Sequence, residues 1–397
     1  MYAIRAGRAF DGERLHTDGA TVFVEGARIV GVEAPGFAVP DGYVVVDALN
    51  GTVLPGLFDT HVHLCGDGGL SALERLPDFT DEHLEDVITT SLAQQLACGV
   101  TTVRDLGDRR YAVLDRRDRA NGQAEPTILA AGPPVTTRRG HCWNMGGEVS
   151  GPDEIRAAIR ERAQRGVDLV KVMASGGAMT PGTDILACQF TLDELRLVVD
   201  EAHAAGLQVT AHAHGLPSVE QAVAARVDGI EHCTCLVETG IDVPNRLLER
   251  LAEQRIAVCP TLGKADGTEP PMPVRELLER NGITWELRQR LMARMHEAGV
   301  RLIAGSDTGI SPGKPHGLVA HAIGDYVAGG IPTEAALASA TSVAAEACGL
   351  GAYKGRLRAG FDADVLIVDG DPFADIAALT RVSTVFANGH RLDPPQL

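Results

Sequence analysis

Apolar and polar positions along the chain fall into three textures. Residues 1 to about 54 carry short alternating runs. Ala20–Val32 alternates around a Gly-containing turn and predicts a hairpin, and Val44-Val45-Val46 and Thr52-Val53-Leu54 add strand material. From residue 53 onward, β-branched runs alternate with segments of helical period. The runs Val53–Leu64, Val100–Leu106, Thr127–Ala131, Leu169–Ala174, Gln208–His214, Gly229–Cys233, Ala257–Leu262 and Arg301–Ser306 predict strands. Between them, Thr191-Leu192-Asp193-Glu194 is a capping box that opens a helix through Ala205, ended by Gly206. Pro152–Ile155 opens another, ending near Gly166. Ala-rich Val219–Ala225 and Thr333–Cys348 fit helices packed on a sheet. After residue 350 strand texture returns in Gly360–Val368 and Val382–Ala387, with Asn388-Gly389 as a tight turn.

Eight strands, each followed by a helix, predict an α/β fold: a closed (β/α)8 TIM barrel over residues 55–349, near the usual ~250 residues. An open doubly wound sheet would show a glycine-rich phosphate turn after its first strand. None follows Val53–Leu64. The strand-rich termini, 1–54 and 350–397, are expected to meet in one small β-sandwich domain.

Composition narrows the partners more than the fold. Hydrophobic residues at 45% and charged residues at 22% are ordinary for a soluble globular chain. A net charge of -17 argues against nucleic acid or an anionic membrane as a partner, since both repel an acidic surface. Neither a signal peptide nor a membrane-length apolar run is evident. The eight cysteines are scattered, and Cys233-Thr234-Cys235 lacks the second pair of a structural zinc site. Reduced thiols in a cytoplasmic protein are expected.

The chemistry-bearing residues gather at the C-terminal ends of the expected barrel strands, where a barrel's active site sits. His61 and His63 end the first strand, one residue apart and hence on one face. Lys171 interrupts the apolar fourth strand, where an uncompensated ammonium would be costly. His212 and His214 end the fifth, Glu231-His232 the sixth, and Ser306-Asp307 the eighth. Individually each has an ordinary explanation. A buried histidine is commonly a hydrogen-bonded core residue, an Asp after a strand commonly caps the next helix, and a lysine can snorkel. Five strands delivering such groups at the same end is not explained that way.

These motifs, Pro55-Gly56-Leu57-Phe58-Asp59-Thr60-His61-Val62-His63, Lys171, His212, His232 and Ala304-Gly305-Ser306-Asp307, resemble the amidohydrolase superfamily over nearly the whole chain. Lys171–Gly177 and Gly140-His141 look most like its imidazolonepropionase-like branch, which includes metal-dependent Xaa-Pro and Xaa-Lys/Arg dipeptidases. The resemblance implies two divalent metal ions, usually zinc. His61, His63 and Asp307 would bind one, His212 and His232 the other, and Lys171, carboxylated on its nitrogen, would bridge them. It implies attack by a bridging hydroxide on the carbonyl of a small-molecule amide or dipeptide. Asp307 would be the proton shuttle, His141 the oxyanion donor and substrate contact, and His214 a substrate contact where relatives often carry Tyr. Homo-oligomers are common among such relatives. Two other readings are a mononuclear deaminase or cyclic-amide hydrolase, and a non-catalytic scaffold of the same fold. The first typically carries a strand-five His-x-x-Glu and leaves Lys171 without a role. A scaffold should have lost some ligands. Arg138 and Arg139 read as a solvated loop pair, and the loops 264–281 and 310–318 as the source of substrate contacts, the first a pocket wall stiffened by Pro270-Pro271-Met272-Pro273.

Overall fold

The computed structural model describes residues 1–69, 71–120 and 124–393, so the last four residues of the expected terminal module, 394–397, lie outside it. Eight parallel strands alternate with helices as expected, each almost wholly buried, the pattern of a sheet covered by helices. They form two arcs rather than one closed ladder. Leu57–Val62, Val100–Asp105 and Thr127–Ala130 make the first; Leu169–Met173, Gln208–Gly215, Gly229–Val237, Ala257–Cys259 and Arg301–Leu302 make the second. Between the third and fourth strands the chain runs through Pro133-Pro134, which have no N–H to give a ladder. There Val135 N donates to Lys171 O at 2.8 Å and Met173 N to Val135 O at 2.9 Å. At the other seam Thr60 N donates to Ala304 O at 3.1 Å, and Asp307 N to His61 O at 2.7 Å.

Several elements differ from their sequence patterns. The apolar run at 53–64 is two strands, because Gly56 turns the chain where a β-carbon would stand 2.1 Å from Thr101 Oγ1. Its first part belongs to Val44–Pro55, a single strand where two short ones were expected. The expected helix 333–348 breaks into Thr333–Ala338 and Ser342–Ala347. The carbonyls at the break serve barrel strands instead: Ala304 N donates to Ser339 O and Phe58 N to Ala340 O, both at 2.8 Å. The expected loop 264–281 contains a helix, Met272–Arg280. The capping box is present, with Glu194 N 3.2 Å from Thr191 Oγ1 and Thr191 N 2.9 Å from Glu194 Oε2.

Both termini contribute to one eight-stranded mixed sheet, in which Val44–Pro55 lies between Tyr2–Phe10 and Val365–Asp369. Its own core includes Ile4, Val22, Val53, Val365 and Phe386. A buried ion pair staples it: Lys354 Nζ meets Asp364 and Asp362, and Asp364 Oδ1 accepts from Asn388 N at 2.8 Å. Asn388 and Gly389 take the positive φ values, 49° and 78°, that a two-residue hairpin turn requires. Among the described residues, no helix is long and apolar enough to cross a membrane.

Candidate metal centre

His61, His63, His141, Lys171, His212, His214, His232 and Asp307 all line one pocket. Every site residue expected from sequence is brought together there.

Proton placement identifies which atoms face inward. Gly107 O can only accept, so His63 Nδ1, 3.0 Å away, carries the ring proton and Nε2 is free. His61 Nδ1 lies 2.8 Å from Glu231 Oε2. Burial acts to raise that carboxyl's pKa, but Arg104 and His61 hold it well below the usual carboxylate range. Ionised Glu231 therefore accepts from Nδ1 and leaves His61 Nε2 free as well. Asp307 Oδ1 stands 3.3 Å from His61 Nε2 and 3.4 Å from His63 Nε2, with no other partner among the described residues. Three acceptors thus surround one point that demands positive charge. Without a cation, burial favours neutral His63, but Asp307 prevails and raises its pKa. The spacing is too long for a charge-assisted N–H···O bond of ~2.7–2.9 Å. It matches donors ~2.0–2.1 Å from a tetrahedral ion, which lie about 3.3–3.4 Å apart. The residues fit a metal better than a shared proton.

The second group is organised in the same way. His212 Nε2 is 3.1 Å from Gly176 O, which leaves Nδ1 free. His232 Nδ1 pairs with Thr261 Oγ1 at 2.8 Å, and His214 Nδ1 with Thr234 Oγ1 at 2.9 Å. One ligand atom from each of His212, His214 and His232 lies within 4.8 Å of the others. Burial, then Lys171, lowers His61 to about 4; burial, then His141, lowers His214 to about 3. Both are held neutral, which for His61 is the state that ligation requires. Lys171 is 1% exposed and lines the pocket, and no hydrogen bond or ion pair of its side chain is found among the described residues. Burial lowers its pKa against the pull of Glu231 and Asp307.

His141 packs against His212, with ring centroids 4.4 Å apart. Its Nδ1 is 2.8 Å from Thr180 Oγ1, which also accepts from Cys142 N at 3.1 Å, so the threonine proton can go to Nδ1 and leave Nε2–H as a donor. Burial, then Lys171, lowers His141 to about 3.

Several supporting residues escaped the sequence reading. Arg104 Nη2 donates to Glu231 Oε1 at 2.9 Å and its Nε to Thr60 O at 2.7 Å. A charge inside an apolar strand run, the signal that exposed Lys171, also marks Arg104. Glu231 was read from sequence as part of a strand end with His232, but its role beneath the site was not, because strand alternation points it away from the pocket. His232, Thr261 and Asp307 adopt φ of 67°, 54° and 56°, left-handed values that strand periodicity does not reveal. Arg138 and Arg139 stay outside the pocket: Arg138 pairs with Glu154 at 2.7 Å and Arg139 stacks on Trp143.

Fold and pocket define a barrel enzyme with a histidine-rich site at the C-terminal strand ends. The amidohydrolase family profile matches residues 52–392, and the chain belongs to the amidohydrolase family. It is a hydrolase acting on C–N bonds. Ochratoxinase of Aspergillus niger is 26% identical over 381 residues, covering 84% of this chain and 73% of its own. A Xaa-Pro dipeptidase with methionine in its active site superposes with a TM-score of 0.86 at 27% identity over 99% of both chains. A prolidase complexed with N-methylphosphonate-L-proline gives 0.85 at 27% identity, again over 99% of both.

Proposed function

We propose that the chain is a binuclear metal-dependent hydrolase of amide bonds, acting on a dipeptide or an N-acyl amino acid. The observation that carries this reading is Lys171, a buried lysine side chain without a hydrogen-bond or ion-pair partner among the described residues, set amid the histidines and Asp307, where burial favours its uncharged amine. Its neutral amine can add carbon dioxide, losing one proton as the N–C bond forms. The product is a carbamate, whose negative charge suits a position between two cations. His61, His63 and Asp307 would hold one ion, His212 and His232 the other, and Lys171 would bridge them. Two divalent ions, zinc being the natural choice for this donor set, supply an activated water and polarise a carbonyl when bound.

The remaining roles belong to the chain. Asp307 accepts the proton of the attacking water and delivers it to the leaving nitrogen. His141 donates Nε2–H to the oxygen that gains charge, and His214 contacts the substrate. The same reading takes the two arcs as a (β/α)8 barrel over 55–349 and the terminal strands, 1–54 and 350–397, as a small β-sandwich domain. The dipeptidase, prolidase and ochratoxinase likenesses support an amide as the scissile bond. A screen of dipeptides and N-acyl amino acids against zinc-loaded enzyme tests it. Hydrolysis of either class is expected, and turnover only of cyclic amides or amino-substituted rings would overturn the assignment.

A further inference from the structure

The pocket wall opposite the histidines is largely apolar, with Leu236, Pro270, Leu277, Trp285 and Ile310 among its residues. One guanidinium enters it. Arg288 Nη2 donates to Pro260 O at 3.0 Å, and its Cζ stands 5.0 Å from the centroid of the Trp285 ring. Among the described residues, Arg288 has no other hydrogen bond and no carboxylate within ion-pair distance. Asp325, whose charge acts on it, already serves three donors: Gly263 N at 2.9 Å, and Trp285 Nε1 and Gln289 Nε2 at 2.7 Å each. Glu269, on the same wall, pairs with Arg275. Lys314 is likewise committed, its Nζ donating to Thr261 O at 3.1 Å, Ser306 O at 2.8 Å and Gly263 O.

Arg288 is therefore the wall's uncommitted fork of donors, and it stands beside the reaction centre. Pro260, which accepts from it, precedes Thr261, the partner of His232. Arg288 is part-buried, and a cation with spare donors facing a largely apolar pocket gains from meeting an anion there. The planar fork of a guanidinium matches a carboxylate with two parallel hydrogen bonds. Trp285, fixed through Asp325, holds that fork in place.

We propose that Arg288 anchors a carboxylate of the substrate, so that the chain selects amides bearing a free carboxylate and an apolar group. This rests on the amide-hydrolase reading for the reaction, but not for the binding site itself. The test is accordingly a binding measurement. 3-Phenylpropanoate and its neutral counterpart 3-phenylpropan-1-ol are titrated by calorimetry into the zinc-loaded protein and its Arg288→Met, Arg288→Gln and Arg288→Lys variants. Wild type should bind the carboxylate at least about tenfold more tightly than the alcohol, the scale of a hydrogen bond to a charged group. Both neutral variants should lose that preference and the lysine variant should keep part of it. A preference that survives in either folded neutral variant would place the carboxylate on the metals and overturn the proposal, as would its absence in wild type. If Arg288-dependent binding holds while the amide screen finds no turnover, the carboxylate site stands and the hydrolase assignment for this substrate class fails.

Discussion

Gly177 lies directly against the imidazole of His141: a β-carbon built on it would meet ring Cε1 at 2.4 Å and Nε2 at 2.5 Å. Gly177 does not have a positive φ, so alanine is allowed by the backbone and excluded only by the ring. Gly177→Ala should displace the His141 ring, which packs against His212 with ring centroids 4.4 Å apart. Turnover should fall by about 10²–10³-fold, the usual cost of one oxyanion donor, with most of the metal retained. Parallel steady-state kinetics and metal analysis check this, and a wild-type rate would remove His141 from the chemistry.

Asp307 combines two proposed jobs, ligation and proton transfer. Asp307→Asn keeps the shape and an oxygen that can face a metal, but loses the charge that accepts a proton. It should retain much of the metal and lose about 10²–10⁴-fold in kcat, the range for general acid–base groups. Turnover at the wild-type rate would contradict the shuttle role.

Glu231 orients His61 and neutralises Arg104, both of them buried. Glu231→Gln leaves the ring hydrogen bond possible but removes the charge that makes the ligand basic. Loss of such an outer carboxylate typically weakens metal binding by about 10–100-fold. Competition with a chelator measures the dissociation constant, and an unchanged value would reduce Glu231 to a packing residue.

Lys354 serves stability alone. Its side chain is 3% exposed and Asp364's is 5%. Lys354→Met should strand a buried carboxylate at a cost of about 3–5 kcal/mol. Urea unfolding should show the loss, while kcat per folded molecule stays near wild type because the pair lies beside the terminal sheet and does not line the pocket. A variant as stable as wild type would contradict this.

What the sequence revealed about the site followed from chemistry placed at strand ends. His61, His63, Lys171, His212, His232 and Asp307 stood out because histidines, a lysine and an acid recur where apolar strands stop, and strand order brings those ends together. Gly177, Thr180 and Arg288 carried no such signal. Gly177 matters through the ring that occupies the space of its missing side chain, Thr180 through a hydroxyl that orients His141, and Arg288 through the absence of a partner. Such relations exist only between segments distant in sequence. The fold follows the same division. Strand and helix periods marked most elements, but the interruption at Ser339 and Ala340 arises because distant barrel strands take those carbonyls. The helix Met272–Arg280 lay inside a segment whose prolines read as loop, although Pro273 falls in the first turn, where a missing N–H costs little.

Metal stoichiometry tests the central claim most directly. Wild-type protein loaded with zinc in the presence of bicarbonate should hold about two ions per chain after removal of free metal, and Lys171→Ala should hold fewer and be inactive. A wild-type value of one ion or none, or full activity in Lys171→Ala, would contradict the two-metal account.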